Sequence, residues 1–190
     1  MKFSELVLKN RSYRRFDQNV PVPHENLVRL IDLARLAASP SNLQGLKFLL
    51  VSNQAECGQV FQNVRFGGYF KDWGGPVEGE RPSAYIILLG DTTIKPTFEI
   101  DAGIAAQTIL LGAAELGFGG CMVKAFMRES LRRVLDLEEK FEIVLVIALG
   151  KPAETCVIED YDPEKGIEYY RDAEGVHHVP KRRLDELIVH

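Results

Sequence analysis

The sequence predicts a three-layer α+β fold around a mixed sheet, and three observations carry that reading. Apolar runs of strand length, KFLLV at 47–51, SAYIILLGD at 83–91 and FEIVLVIALG at 141–150, are interleaved with segments of helical periodicity. The segment EIDAGIAAQTILLGAAEL at 99–116 is a helix with so little charge that it must be buried on nearly all sides. At 190 residues, 46% of them hydrophobic, the chain is expected to form one domain, 1–190, with a real core.

Taken in order, residues 3–9 form a short helix ending near Asn10. The arginine-rich stretch RSYRRF follows, and then PVP at 21–23, which forces extended backbone. His24 to Ala38 is an amphipathic helix, with Leu27, Leu30, Ile31, Ala34 and Ala38 at helical spacing. SPSNLQGL at 39–46 is a turn-rich loop before the first buried strand. A short helix covers 54–63. The stretch RFGGYFKDWGGPVEGERP, 65–82, is too long for a plain connector and is a candidate lid or pocket loop. After the 99–116 helix, GFGG at 117–120 is a helix end and turn, because it follows a helix and not a strand. GGCMV at 119–123 is a short strand, and 128–136 a helix. Beyond Pro152 the composition turns polar, so 153–190 is expected to be a C-terminal arm with local strand and helix. The small residues of 99–116 allow close helix approach and suit a subunit interface.

The net charge of -4 argues against nucleic acid or a membrane surface as the main partner, since both favour a broad basic face. No apolar run approaches the roughly 20 residues that span a bilayer. The charged N-terminus, MKFSELVLKN, is unlike a signal peptide, so a cytoplasmic location is expected. The three cysteines, Cys57, Cys121 and Cys156, include no CxxC pair and are read as reduced, with Cys121 a buried structural thiol. No metal site is expected: His177 and His178 are the only histidine pair, and neighbours on a strand point to opposite faces. No catalytic triad or nucleotide-binding glycine loop can be assembled, so any reactive atoms would belong to a cofactor.

Against that acidic background, RSYRRF concentrates three arginines around one serine. In an extended or turn geometry Arg11, Ser12 and Arg14 present two guanidiniums and a hydroxyl, which suits a phosphate. PKRR at 180–183 is a second basic cluster near the other end. The two either converge on one dianion or remain separate solvated patches. SPSNLQ either places backbone N–H and amide groups against a heterocycle or simply joins helix to strand.

The order RSYRRF, SPSNLQGLKF, DAGIAAQTILLGAAELGFGG, IALGKPAE and PKRRL resembles the FMN-dependent nitroreductase family over nearly the whole chain. The resemblance implies an α/β/α sandwich with a central mixed, largely antiparallel sheet, and a homodimer with FMN at the subunit interface. Arg11, Ser12 and Arg14, with Lys181 and Arg183, then hold the FMN phosphate. Asn10 stands where many members have a further arginine. Pro40, Ser41 and Asn42 lie against the isoalloxazine ring, usually from the partner subunit, with Gln44 in support. Gly45 and Leu46 stand where proline and tryptophan are common. Ala125 offers its backbone N–H to flavin N5, and Lys124 adds a cation unusual at that place. Tyr69, Phe70 and Trp73, with Lys124, are the expected substrate-pocket residues. The implied activity passes hydride from NAD(P)H through FMN to a small electron-poor acceptor such as a nitroaromatic or quinone, with no catalytic side chain. The alternative is an FMN-binding carrier or regulatory protein without reductase turnover.

Overall fold

The computed structural model describes residues 2–189. Strand β3 (Ala84–Asp91) is buried at every position and sets the architecture. Ala84, Ile86 and Leu88 join one apolar cluster, while Tyr85, Ile87 and Leu89 join another. Side chains alternate across a strand, so a strand apolar throughout needs cover on both faces. Helices α2 (His24–Leu36) and α4 (Glu99–Glu115) form one layer, packing through Leu27, Leu30 and Ala34 on one side and Ala102, Ala106 and Ile109 on the other. Helices α3 (Gln54–Gln62) and α5 (Arg128–Val134) form the opposite layer. Asn53 caps α3, its side chain accepting from the N–H groups of Ala55 and Glu56.

Within the sheet, β3 pairs with β2 (Leu46–Val51) and with the long β5 (Phe141–Pro152). The far edge of β5 receives β4 (Gly119–Val123) and, at its end, the two-residue β1 (Phe16–Asp17). Each of these ladders is antiparallel. The parallel pairing of the expected mixed sheet lies elsewhere, in the arm. There β8 (His177–Lys181) runs parallel to β6 (Cys156–Asp160) and antiparallel to β7 (Tyr170–Arg171), and α6 (Leu184–Leu187) follows.

Two local features deliver the chain to the site. Helix α1 (Phe3–Lys9) ends at Asn10, and the next residues run extended beside β4, with Ser12 bridged to Gly120 and the Tyr13 N–H on the Gly120 carbonyl at 3.0 Å. At the other end of α4, GFGG closes the helix: the Phe118 N–H donates to Ala113 O at 2.8 Å and the Gly117 N–H to Ala114 O at 3.2 Å. Gly117 takes the left-handed φ of 82° that this ending requires. Helix α4 is less covered than its composition suggests, because Ile100, Gly103 and Gln107 stay exposed. Among the described residues no helix is long and apolar enough to cross a membrane.

Candidate cofactor site

Arg11, Ser12 and Arg14 meet Lys181 at one cavity of about 370 Å³. The two basic ends of the sequence are therefore brought together. His177 and Tyr169 of the arm share the lining, and Gln107, Leu110 and Met122 close it from α4 and β4. Strand alternation explains the first contribution: Ser12 and Arg14 share a face of the extended segment, and Tyr13 turns the other way, its hydroxyl donating to Lys9 O at 2.9 Å. Alternation explains the second as well, since His177, Val179 and Lys181 project from one side of β8 into the same space.

Arg14 is 8% exposed. One guanidinium nitrogen donates to Ser12 O at 3.1 Å and lies 3.5 Å from His177 Nε2, while the guanidinium stacks on the Tyr169 ring at 4.3 Å. Arg11 donates to Val7 O at 2.7 Å. The Nε atoms of both arginines are buried without a partner. Buried donors left unfilled are costly, and the two guanidiniums at the cavity wall suit an anion with several acceptor oxygens.

Behind the arginines sits Glu154, whose side chain is 1% exposed. Its carboxylate accepts the backbone N–H groups of Arg14 and Arg15 and the Arg171 guanidinium, the last at 2.8 Å. It thereby ties the arginine stretch to the arm. Burial, then the neighbouring Arg14, push His177 down to about 4, so its ring stays neutral at pH 7. Burial, then the charge of Glu154, push the Cys156 thiol up to about 12. Donor atoms of Glu154, Cys156 and His177 lie within 4.8 Å of one another. The carboxylate is already filled by N–H donors, however, and two guanidiniums flank the group, which makes it a hydrogen-bonded network that repels a cation. Cys121 is buried, and burial raises its thiol above the ordinary value.

The 65–82 loop docks onto this network. Tyr169, Arg14, Phe70, Arg171 and Trp73 alternate aromatic and cation: Arg14 lies 5.8 Å from the Phe70 ring, and Arg171 lies 4.3 Å from Phe70 and 4.4 Å from Trp73. Tyr69 packs beside Tyr169 with ring centroids 4.8 Å apart. Lys124 is placed apart from these aromatics, its ammonium donating to Val144 O at 2.9 Å. Ala125 is exposed just beyond the end of β4, two residues after Val123. Arg183 lies outside the cavity lining and pairs with Asp185 at 3.2 Å.

The loop containing Pro40, Ser41 and Asn42 is built differently. It forms a short 3-10 turn, and Ser41, Asn42 and Gln44 have positive φ of 52°, 54° and 53°. Left-handed backbone costs roughly 1–2 kcal/mol for a residue with a side chain, least for Asn. Hydrogen bonds hold the shape: Asn42 N–H to Ser39 O at 2.8 Å, and Gln44 N–H to Ser39 Oγ at 3.1 Å. This loop borders a second cavity, of about 290 Å³, with Asp101 and Ala105 of α4. Gln107 and Leu110 of the same helix line the first cavity. From Asp101 to Gln107 a helix turns by roughly 240°, so the two cavities lie on different faces of α4. Within one chain Pro40, Ser41 and Asn42 are thus not brought to Arg11 and Arg14.

Several residues of the site carry little signal in the sequence. The i, i+2, i+4 spacing of His177, Val179 and Lys181 is readable once HHVPK is taken as a strand. Glu154, Tyr169 and Asp101 have no such mark, because what they do depends on long-range folding.

Comparison with known proteins fits this geometry. The Nitroreductase family profile matches residues 7–72 and 80–151. The Bacillus subtilis protein YodC, which carries the name NAD(P)H nitroreductase, is 26% identical over 176 residues, covering 76% of this chain and 87% of YodC. A crystal structure of a nitroreductase family protein from Clostridium difficile 630 superposes with a TM-score of 0.70 at 20% identity, covering 100% of this chain and 98% of that one. An FMN-dependent nitroreductase from Clostridium difficile R20291 gives a TM-score of 0.64 at 25% identity, covering 84% and 92%. With its fold and its matched residues in agreement, the chain belongs to the nitroreductase family of oxidoreductases.

Proposed function

We propose that the 370 Å³ cavity takes the phosphate of FMN, and that the protein passes hydride from NAD(P)H to a small electron-poor acceptor such as a nitroaromatic or quinone. One observation carries the reading: Arg11, Ser12 and Arg14 from one end of the chain and Lys181 from the other face a single cavity, with two buried guanidinium nitrogens unfilled. The donor set suits a dianion. The names of YodC and of the FMN-dependent neighbour support the same choice of cofactor and electron donor.

FMN, when bound, supplies the hydride chemistry at its N5; the chain supplies binding, orientation and electrostatics. Arg11 and Arg14 give charge and fixed donors, Ser12 a hydroxyl, and Lys181 an exposed cation in the cavity lining. The neutral His177 adds no further charge. Pro40, Ser41, Asn42 and Gln44 reach the ring from a second copy of the chain, since α4 separates them from the cavity in their own chain. Exposed apolar side chains support such a homodimer: Phe3, Leu8 and Ile100 are 71%, 62% and 68% exposed, and α1 packs against α4. Ala125 offers an N–H beyond β4, and the docked 65–82 loop sets Tyr69, the most exposed of its aromatics, near the entrance. Arg183, paired with Asp185, contributes at most long-range charge.

The test is a visible spectrum of the purified protein, followed by anaerobic addition of NADH and then NADPH. Bound flavin that bleaches with either donor is the expected result. A colourless protein that takes up no added FMN would overturn the cofactor assignment. Flavin that stays oxidised with both donors would instead favour a binding protein without reductase turnover, or a different electron donor.

A further inference from the structure

The 39–44 loop needs something to hold it, because strained backbone persists only where its surroundings over-determine it. The structure contains such a device. Ser39 Oγ accepts the Gln44 N–H at 3.1 Å, closing the loop on itself, and donates to Asp101 Oδ1 at 2.7 Å. The other carboxylate oxygen, Oδ2, accepts from Lys95 Nζ at 2.6 Å. The side chains of this ion pair are only 9% and 4% exposed. Burial pushes the Asp101 carboxyl up, but the bonds from Lys95 and Ser39 outweigh it and keep the group below the ordinary carboxylate range. Buried ion pairs are poor sources of net stability, whereas they fix geometry well when every donor and acceptor is used.

A sequence detail is explained by the same device. A Cβ on Gly45 would lie 2.9 Å from Cγ and Cδ of Lys95 and 3.2 Å from the Phe98 ring. The bare glycine lets the lysine stem cross the backbone on its way to Asp101. Gly45, Lys95, Asp101 and Ser39 therefore form one clasp running from the end of β3 to the start of α4 and into the loop.

We propose that Ser39 is a positioning residue for the flavin ring, holding Ser41, Asn42 and Gln44 in their left-handed shape through Asp101 and Lys95. The proposal rests on the reading of the cavity and the loop as parts of one flavin site. Its test titrates the wild type, S39A and S39T with FMN and with riboflavin, following flavin fluorescence, and records the visible circular dichroism of the bound flavin. S39A is expected to lose at least about tenfold in affinity for both flavins by the same factor, with altered dichroism, because the phosphate contacts are intact. S39T, which keeps the hydroxyl, is expected to restore both. An S39A protein that melts earlier yet binds both flavins within twofold of wild type, with unchanged dichroism, would overturn the proposal. Should S39A fail to fold, G45A displaces the Lys95 stem instead and is expected to show the same paired loss; wild-type affinities in folded G45A would overturn the clasp. Failure of the wild type to bind either flavin would overturn the reading of the site itself, and the clasp with it.

Discussion

Around Arg14, guanidinium nitrogens are buried with no partner. In the 39–44 loop the polar groups of Ser39, Asp101 and Lys95 are paired, and the tension lies in the backbone, at Ser41, Asn42 and Gln44. The first region holds unsatisfied polarity that a ligand can relieve. The second holds strain that the protein itself must restrain. Affinity and charge selectivity should therefore come from the cavity, and shape from the loop.

Breaking the clasp at its charged centre should have the largest effect. D101A leaves Lys95 buried without its partner, and urea unfolding should show a loss of about 3–5 kcal/mol. If D101A costs less than about 1 kcal/mol, the loop is not restrained in this way. Next comes R14M. It removes the buried guanidinium at the cavity wall, and calorimetric titration should show FMN binding weakened by about 2–3 kcal/mol, while riboflavin binding changes little. Equal losses for both flavins would mean that Arg14 shapes the whole site and not its phosphate end. K181M should cost less, about 0.5–1 kcal/mol, and mostly at low salt, because Lys181 is exposed at the cavity rim.

The smallest effect expected is in pH dependence, and it separates the two histidines of β8. His177 is held down to about 4 from an ordinary 6.5, so the unfolded chain takes up a proton first on acidification. Its contribution to stability is present above pH 6.5 and is lost as the pH falls toward 4. His178 has the opposite sign. Its Nε2 faces Asp172 at 3.0 Å and its Nδ1 faces Glu159 at 2.9 Å, and these bonds raise its pKa. Its contribution is complete below 6.5 and is lost as the pH rises through the higher folded value. Melting temperatures from pH 4 to 9 should show that H178Q removes the alkaline part of the profile and leaves the acid part. An unchanged alkaline limb would mean that the clamp on the arm does not depend on the charge of His178.

The two regions also differ in how far they can be read from sequence. Arginines, a serine and a lysine suit an anion by their chemistry, and the structure brings Arg11, Ser12, Arg14 and Lys181 to one cavity. Arg183, two residues on, would share the face of Lys181 if the strand continued. But β8 ends at Lys181, and Arg183 stands at the start of α6 with its side chain on Asp185. In SPSNLQ only Asn42 hints at left-handed backbone, while Ser41 and Gln44 adopt it through tertiary restraint that composition cannot express. Glu154 is similar: a lone carboxylate after Pro152 becomes central only when the arm folds back over Arg14. The fold was more open to reading, because β3 and β5 are apolar enough to demand cover on both faces. The short strands of the arm, β6, β7 and β8, are half-exposed and polar, and periodicity says little about such segments.

The most direct test of the account is a parallel titration of the wild-type protein, freed of flavin, with FMN and with riboflavin. The two ligands differ only in the phosphate that Arg11, Ser12, Arg14 and Lys181 are assigned to hold. FMN is predicted to bind at least about 100-fold more tightly, as expected from two or more charge-assisted contacts. Equal affinities for the two would contradict the assignment of the cavity to the phosphate.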